Sequence, residues 1–377
     1  MTTALDGITV IDFSRVLAGP YATMLLADFG AKVIKIERPA VGDDTREWGP
    51  PYDADGTATY FTAVNRNKQS VVLDLTDSDD LQSARDLVAS ADVVVENFRP
   101  GTMEKLGLGF ETLRADNPSL IYCSITGFGR ERGAALPGYD LLVQAVGGLM
   151  SITGTPSGEP TKVGVALVDV LAGVHALSGI LMALVHRQRT GEGQRVDTNL
   201  LSVLLASLVN QASSHLGAGV VPGRLGNRHP SIAPYETFDT ADRPIALAVG
   251  NDKQFRLLVD ALALPWLADD ERFASNPLRV HNRSALSEIL SDALRSRGAD
   301  HWHHALSTVG VPAGPINDIA QAFSFAEALG LPTTVAVPGS KTPQVANPIA
   351  MSATPPAYLC GPPALALHRT DPAALRC

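Results

Sequence analysis

The 377-residue sequence has only three cysteines, Cys123, Cys360 and Cys377, which lie far apart and form no CxxC pair. This spacing indicates neither a disulfide framework nor a zinc site. The sequence also lacks an uninterrupted apolar run close to the roughly 20 residues that span a bilayer. The first residues, MTTALDG, do not have the pattern of a signal peptide. We therefore predict a cytoplasmic protein with no membrane partner.

Positive charge is scarce as well. The chain has 30 Lys and Arg residues against 39 Asp and Glu residues, which gives a formal net charge of −9. An acidic chain does not favour non-specific binding of nucleic acids, so no nucleic-acid partner is predicted. Hydrophobic residues at 45% and charged residues at 18% are typical of a globular protein. The length allows two or three domains.

Short apolar runs alternate with helical patterns in the first half of the chain. This alternation predicts βαβ units, and hence an α/β fold with a parallel sheet that binds ligands at the carboxyl ends of its strands. The predicted helices include Ala18–Phe29 and Ser78–Ser90. The predicted strands are Ile8–Phe13, Lys32–Glu37, Ser70–Leu75, Asp92–Glu96 and Leu120–Ile125.

The later part of the chain is predicted to contain a smaller domain. It follows two long helical patterns, one from Asp169 to about Arg189 and one over Val196–Leu216. A hairpin of YETFDT and PIALAV is expected to open the smaller domain. The predicted organisation is a large domain over 1–216, a linker over 217–234, a small α+β domain over 235–318, and a linker and C-terminal segment over 319–377 that returns to the large domain.

Patterns for common cofactors are weak. No GxGxxG follows the first predicted strand, where the chain has Ser14–Pro20, so a dinucleotide cofactor is not predicted. His301 and His304 lie one helical turn apart, but no acidic third ligand stands at helical spacing, which favours a solvated helix face over a metal site. Arg38 follows the second predicted strand, where it either pairs with a phosphate or forms a solvated charge pair with Glu37.

Asp169 is the carboxylate with the most informative position. It follows the apolar run GVALV and begins the longest helix, so we expect it at a strand-to-helix junction. Asp is among the preferred N-cap residues, and a capping role explains this position. The position also suits a nucleophile, because the N–H groups and the dipole of the helix stabilise a carboxylate and fix its direction. Position alone leaves both roles open.

Several longer segments stand in a specific order: LDGITVIDFSRVLAGPYATMLLADFGAKVIKIERP, NRNKQSVVLDL, ADVVVENFRPGTMEKLGL, NPSLIYCSITGFG, PGYDLLVQAVGGLMSITG, RQRTGEGQRVD and NRHPSIAPYETFDT. Together they resemble the family III CoA-transferases, the group of formyl-CoA transferase and carnitine CoA-transferase, along nearly the whole chain. The resemblance implies an enzyme that transfers coenzyme A (CoA) between an acyl-CoA thioester and a free carboxylic acid.

The resemblance also implies a structure and a set of site residues. It implies a Rossmann-like large domain and an interlocked homodimer in which each chain threads through its partner. The nucleophilic aspartate of the family falls on Asp169, which would form an anhydride and then a thioester. No permanently bound cofactor is implied, because CoA and acyl-CoA are substrates. The implied CoA contacts are Val16, Leu17, Ala18, Arg38, Leu73, Asp74, Leu75, Thr76, Asn97, Phe98, Lys105, Pro137, Gly138 and Tyr139.

The chain departs from the family pattern at several points. Leu17 stands where formyl-CoA transferase has a glutamine, and no glycine-rich loop occurs between Leu225 and Asp252. Both differences count against formyl and oxalyl groups and favour a larger or less polar acyl group, with succinyl-CoA as a candidate donor. Lys105 replaces an arginine and so loses bidentate geometry. The tail PPALALHRTDPAAL is a degraded form of the family's ending.

Two other functions are considered. α-Methylacyl-CoA racemase has the same fold, but its chemistry needs an acid and a base on opposite faces of the substrate. Its histidine lies in a GHD-type motif, where this chain has Gly138-Tyr139-Asp140, and a tyrosine is a poor base near neutral pH. A CoA-binding protein without turnover is suggested by Leu17 and the altered tail, whereas Asp169 and the segments around it are intact.

Overall fold

The computed structural model describes residues 3–366, and its main sheet has six strands. These strands are β1 (Thr9–Asp12), β2 (Lys32–Glu37), β3 (Lys68–Val72), β4 (Val93–Glu96), β5 (Ile121–Thr126) and β6 (Arg195–Asn199). All of them pair in parallel, in the spatial order β3-β2-β1-β4-β5-β6. The order reverses between β1 and β4, and doubly wound sheets bind their ligands at such a reversal. The predicted α/β fold with a parallel sheet is confirmed.

Helices cover both faces of this sheet. Along β1 and β4, Val10, Val93 and Val95 pack in the cluster that contains the helices at 18–28 and 167–190, whereas Ile11 and Val94 pack in a second cluster. This alternation is the period of two of a strand whose two faces are both buried. The helices up to residue 218 are α1 (Ala18–Asp28), α2 (Thr59–Thr62), α3 (Ser78–Ala89), α4 (Thr102–Lys105), α5 (Phe110–Asp116), α6 (Asp140–Val146), α7 (Leu149–Ile152), α8 (Leu167–Thr190), α9 (Leu200–Ser207) and α10 (Val209–Ala218).

The predicted helix over Val196–Leu216 is wrong. The structure has β6, α9 and α10 in its place. The chain changes from strand to helix at Asn199, whose side chain caps α9 by accepting the N–H of Ser202. The predicted third strand is also displaced, because β3 begins at Lys68, a residue whose side chain is buried in a polar cluster instead of facing solvent.

The predicted junction at Asp169 is wrong too. No strand is formed by the run GVALV among the described residues, and α8 begins at Leu167. The N-cap residue is Ala166, so Asp169 lies within the first turn of the helix and does not cap it. The N–H groups in the first turn of a helix have no partner within the helix. The N–H groups around Asp169 therefore need an acceptor from another part of the chain.

The structure divides into two compact units, of which the second combines Met150–Thr161 with Val221–Leu331 and the rest of the described chain forms the first. The second unit has a three-stranded antiparallel sheet, so the predicted hairpin is present with one added strand. Its elements are β7 (Tyr235–Phe238), β8 (Ile245–Ala248), α11 (Asp252–Ala261), α12 (Asn276–His281), α13 (Arg283–Leu294), α14 (Ala299–Thr308), β9 (Ala313–Pro315) and α15 (Ile319–Ala328). The domain limits at 216, 234 and 318 stay a prediction.

The C-terminal segment over residues 332–366 packs within the first unit. It contains the short pair β10 (Thr334–Val335) and β11 (Gln344–Val345). Buried Asp28 binds Arg66 at 2.6 Å and accepts from Asn347 at 2.9 Å, and Asn67 donates to the Ala357 carbonyl at 2.8 Å. The altered family ending lies mostly outside the described residues.

Helix α8 is long and apolar enough to cross a membrane by length and composition, with a mean hydropathy of 2.0 and 39% of its most apolar window buried. The core helix of a soluble protein meets the same criterion. Cys123 is a buried free thiol.

Candidate active site

A cavity of about 220 Å³ lies at the carboxyl edge of the sheet, next to the reversal between β1 and β4. It is lined by the loops that follow β1, β4 and β5 and by the first turn of α8. Most of the predicted site residues therefore meet in one place. Those that line this cavity are Val16, Leu17, Ala18, Asn97, Phe98, Pro137, Gly138, Tyr139 and Asp169.

The loop after β1 is held in a strained conformation. Val16 has a φ of 72°, a left-handed conformation that a β-branched residue rarely adopts. Asn97 accepts the N–H of Arg15 at 2.9 Å and donates to its carbonyl at 2.7 Å. Asp43 accepts the N–H of Val16 at 3.3 Å. Strained backbone persists only where the surroundings impose it, and it is concentrated at functional sites.

Asp169 is half-buried in this cavity and lies near a second acid, Asp140. Burial, and secondly the charge of Asp140, raise the pKa of Asp169 to about 7. The N–H groups of Val168 and Asp169 point to Asp140, at 2.8 and 3.4 Å, so the expected stabilisation of the Asp169 anion by these groups is absent. A carboxylate with a raised pKa is a stronger nucleophile than an ordinary one and is still partly ionised at neutral pH.

Tyr60 of α2 is a further ionisable group close to these acids. Its pKa is raised by burial and by the negative charges of Asp169 and Asp140. Its ring makes an edge contact with Trp48, with 5.3 Å between the ring centroids. The Tyr60 hydroxyl therefore stays protonated and is able to donate a hydrogen bond in this region.

A second cavity, of about 450 Å³, lies at the carboxyl ends of β2 and β3. Phe98 and Arg15 line both cavities, which are therefore neighbours. Lys105 is exposed on α4 and lines neither cavity, although Thr102 of the same helix lines the second. The predicted site residues in this second cavity are Arg38, Leu73, Asp74, Leu75, Thr76 and Phe98.

Arg38 does not pair with Glu37. Its guanidinium binds Asp44 at 2.7 Å and the Gly42 carbonyl at 3.2 Å, with about half of the side chain exposed. Glu37 instead binds Arg46 at 2.7 Å. The solvated pair considered for Arg38 and Glu37 is therefore wrong, and Arg38 is placed on the rim of the second cavity with donors near solvent.

Among the described residues, no group of three or more His, Cys, Asp or Glu side chains is placed to hold a metal ion. His301 is exposed and makes an edge contact with Trp302, and His304 is exposed as well. His303 between them bonds through Nδ1 to the Ala313 carbonyl at 2.7 Å.

Sequence reasoning missed four residues near the site. Arg15 and Arg99 line the first cavity, and both stand in segments that the sequence analysis singled out. Asp140 directly follows Tyr139, so the motif Gly138-Tyr139-Asp140 contained it, but its contact with α8 is a long-range one. Tyr60 lies in no such motif.

The parallel sheet, its strand reversal and the ligand-sized cavities at the carboxyl edge define an α/β protein of the doubly wound class. The sequence pattern of CoA-transferase family III matches residues 5–369. The chain belongs to this family and is a CoA-transferase, an enzyme that transfers CoA between acyl-CoA and carboxylic acids. The family predicted from the sequence is thereby confirmed.

Individual proteins agree with this assignment. The chain is 47% identical to succinate–glutarate CoA-transferase of Agrobacterium fabrum, covering 97% of this chain and 94% of that protein. It is 44% identical to acetyl-CoA:oxalate CoA-transferase of Acetobacter aceti, covering 88% and 84%. A crystal structure of a CaiB/BaiF family protein from Brucella suis is 43% identical, covers 97% of both chains and has a TM-score of 0.87.

Proposed function

We propose that this enzyme moves CoA from the thioester of a dicarboxylic acid to a second carboxylic acid through a covalent intermediate on Asp169. The observation that carries the proposal is the position of Asp169: a carboxyl group of raised pKa that lines the cavity where most of the predicted CoA contacts meet. A nucleophilic carboxylate splits one difficult acyl transfer into easier steps.

The steps balance without water or an oxidant. The Asp169 carboxylate attacks the thioester carbonyl of the donor, and the CoA thiolate leaves, which forms an acyl–aspartyl anhydride. The thiolate then attacks the aspartyl carbonyl, releases the donor acid and leaves an aspartyl-CoA thioester. The acceptor carboxylate attacks this thioester to form a second anhydride, and the thiolate attacks the acceptor's acyl carbon, which regenerates Asp169 and yields the new acyl-CoA.

Each tetrahedral intermediate carries a negative oxygen that needs hydrogen-bond donors. Helix α1 begins at Ala18, and Val16, Leu17 and Ala18 line the Asp169 cavity. The first N–H groups of a helix have no partner within it, so the Ala18 N–H is the donor that we assign to the oxyanion. Water must be excluded, because the anhydride hydrolyses readily.

CoA is assigned to the two neighbouring cavities. Its phosphates need cations, and Arg38 and Arg15 line the second cavity in an otherwise acidic protein. Its adenine and pantetheine need apolar surface and backbone groups, which residues 73–76 and Phe98 supply. Lys105 stays a predicted contact, since it lies exposed on α4 beside this cavity.

The acyl groups are inferred from relatives and from Leu17. Succinate and glutarate appear in the name of the relative that is 47% identical. Leu17 is buried in the Asp169 cavity, where it supplies an apolar wall for the methylene groups of such acids. Oxalate appears in the name of the relative that is 44% identical. It is therefore included among the acids to be tested as acceptors, although Leu17 counts against it.

We also propose the interlocked homodimer that the family implies. Helix α8 buries one face but exposes apolar residues on another, among them Val174, Leu181, Met182 and Val185. Met182 is 67% exposed and Leu216 of α10 is 84% exposed, and a second copy would cover such a surface. Sedimentation equilibrium should give twice the chain mass of 39.7 kDa, and a monomer at micromolar concentration would contradict the homodimer.

The covalent step is tested by trapping. Purified protein is incubated with succinyl-CoA and hydroxylamine, and the peptide that contains Asp169 is examined by mass spectrometry for a hydroxamate. Asp169→Asn should form no adduct and lose about 10⁴-fold or more in kcat/KM. Asp292→Asn, which changes an exposed carboxylate, is the matched control and should behave as the wild type.

Other outcomes would identify other functions. Active wild-type enzyme without an adduct, or an Asp169→Asn variant that still exchanges CoA, contradicts the mechanism. Exchange of the α-proton of an acyl-CoA in D₂O without transfer would identify a racemase. Tight CoA binding with no turnover for glutarate, succinate, mesaconate or oxalate would identify a binding protein.

A further inference from the structure

Asp140 lies at the centre of a buried hydrogen-bond chain behind Asp169. Asp140 is the first residue of α6 and is 9% exposed. Its Oδ1 accepts the N–H of Val168 at 2.8 Å and of Asp169 at 3.4 Å. Its Oδ2 accepts from Nε2 of Gln144 at 2.6 Å, and Oε1 of Gln144 accepts the N–H of Val163 at 2.9 Å. The chain thus connects α6 to both the start of α8 and the segment before it.

Helix α8 has no capping side chain of its own. Its N-cap residue is Ala166, which makes no side-chain cap hydrogen bond. Since the first N–H groups of a helix need an acceptor from elsewhere, Asp140 supplies from α6 what a capping residue would supply locally. The direction of the first turn of α8, on which Asp169 lies, therefore depends on Asp140.

We propose that Asp140 is the positioning residue of the nucleophile: it fixes the first turn of α8 through two N–H groups and places a second negative charge beside the Asp169 carboxylate. This inference rests on the proposed function, in which the Asp169 carboxylate is acylated. Asp140 acts through Asp169 and is assigned no contact with the acyl group. Gln144 orients Asp140, and its burial (0% exposed) keeps that orientation fixed.

The charge of Asp140 has a consequence for the pH dependence. Burial raises the pKa of Asp169 and the charge of Asp140 on α6 adds to this effect; burial, and then the charges of Asp169 and Asp140, raise the pKa of Tyr60 on α2. Arg15 and Arg99 line the same cavity, as does Asp44. Because a like charge disfavours ionisation, removal of the Asp140 charge lowers the pKa of Asp169. Catalysis needs the ionised form, so activity should then persist to lower pH.

Three variants separate the two contributions. Asp140→Ala removes the cap and the charge, and kcat should fall about 10- to 100-fold while KM for succinyl-CoA changes less than about threefold. Asp140→Asn keeps one acceptor but turns an amide N–H towards Nε2 of Gln144, and the acidic limb of its kcat/KM profile should move down by about one pH unit. Asp140→Asn/Gln144→Glu restores a matching acceptor, and kcat should recover to within about threefold of the wild type.

The outcomes distinguish this inference from the function that it rests on. The inference that Asp140 positions Asp169 is overturned if the acidic limb of the kcat/KM profile stays at the wild-type pH in both Asp140→Ala and Asp140→Asn. It is also overturned if the double variant is no more active than Asp140→Asn. Thermal unfolding of each variant shows whether it folds as the wild type does. The double variant keeps the hydrogen-bond chain intact, so it tests the inference even if Asp140→Ala fails to fold. A wild-type enzyme that forms no adduct on Asp169 contradicts the proposed function, whichever result the variants give.

Discussion

At the β1–β3 end of the parallel sheet the buried acids Asp12, Glu37 and Asp43 each pair with a cation, whereas at the α6–α8 end two acids lie together. Asp43 and Lys35 are fully buried and 2.8 Å apart. Burial alone would raise the pKa of Asp43, but the charge of Lys35 and the hydrogen bonds from Lys35 and Thr45 together outweigh burial and lower the pKa to about 2. At the other end, burial raises the pKa of Asp169 to about 7, and Asp140 adds to the effect.

The paired charges at the β1–β3 end have a structural role, whereas the two acids at the α6–α8 end form a reactive group. Lys35 also donates to the Ser14 carbonyl at 2.8 Å, and Asp43 accepts the N–H of Val16, so the paired charges hold the loop after β1. A buried carboxylate without a cation costs folding free energy, and such groups occur mainly where chemistry requires them. The comparison therefore assigns support of the site to one end and the reaction to the other.

Breaking a pair at the β1–β3 end should have the largest effect on stability. Lys35→Met leaves Asp43 buried without its cation and should lower the free energy of unfolding by about 3–5 kcal/mol. Urea unfolding followed by circular dichroism measures this. Lys32→Met is the matched control, because Lys32 lies exposed on the same strand, and it should change stability by less than about 0.5 kcal/mol. Equal effects of the two variants would show that the buried pair is not a structural group.

Neutralising an acid at the α6–α8 end should have the opposite sign. Between about pH 4 and pH 7 folded Asp169 keeps a proton that the unfolded chain has lost, because its pKa is raised from 3.8 to about 7. Wild-type stability therefore falls as the pH rises through this window. Asp169→Asn lacks this dependence and should be more stable at pH 8, by up to about 4 kcal/mol.

The pH series gives this prediction its own control. The difference between Asp169→Asn and the wild type should shrink as the pH falls towards 4, when both side chains are neutral. Asp292→Asn at an exposed position should show no such trend. A stability difference for Asp169→Asn that is independent of pH would mean that the Asp169 carboxylate is not held unfavourably in the folded protein.

The sequence predicted the features that depend on local patterns. Lys32–Glu37 matches β2 residue for residue, and the alternation of runs predicted the parallel sheet. The motif residues around Asp169 do line one cavity, although their roles remain proposals. Lys68 shows the limit of such patterns, since a lysine normally marks the exposed end of a strand, yet it is buried here against Asp12 at 3.2 Å.

Long-range contacts could not be predicted from local patterns. An N-cap role was one of the two roles that its position left open for Asp169, but the acceptor at the start of α8 is Asp140, which is separated from Asp169 by a glycine-rich segment. Tyr60 reaches the same region from α2 without any motif. In each case the decisive contact joins residues that only the packing of helices on the sheet brings together.

A smaller effect on stability is expected at the contact between α1, which follows the loop after β1, and α8, which carries Asp169. A Cβ on Gly173 of α8 would lie 2.7 Å from the Ala18 carbonyl oxygen, so Gly173→Ala should separate the helices and destabilise the fold by about 1–3 kcal/mol. Gly217→Ala in α10 is the control, because nothing lies within 4 Å there and alanine favours a helix by about 1 kcal/mol. Urea unfolding should give opposite signs for the two variants. Stabilisation by both would show that α1 and α8 are free to move apart, and that the loop after β1 does not depend on the helix that carries Asp169.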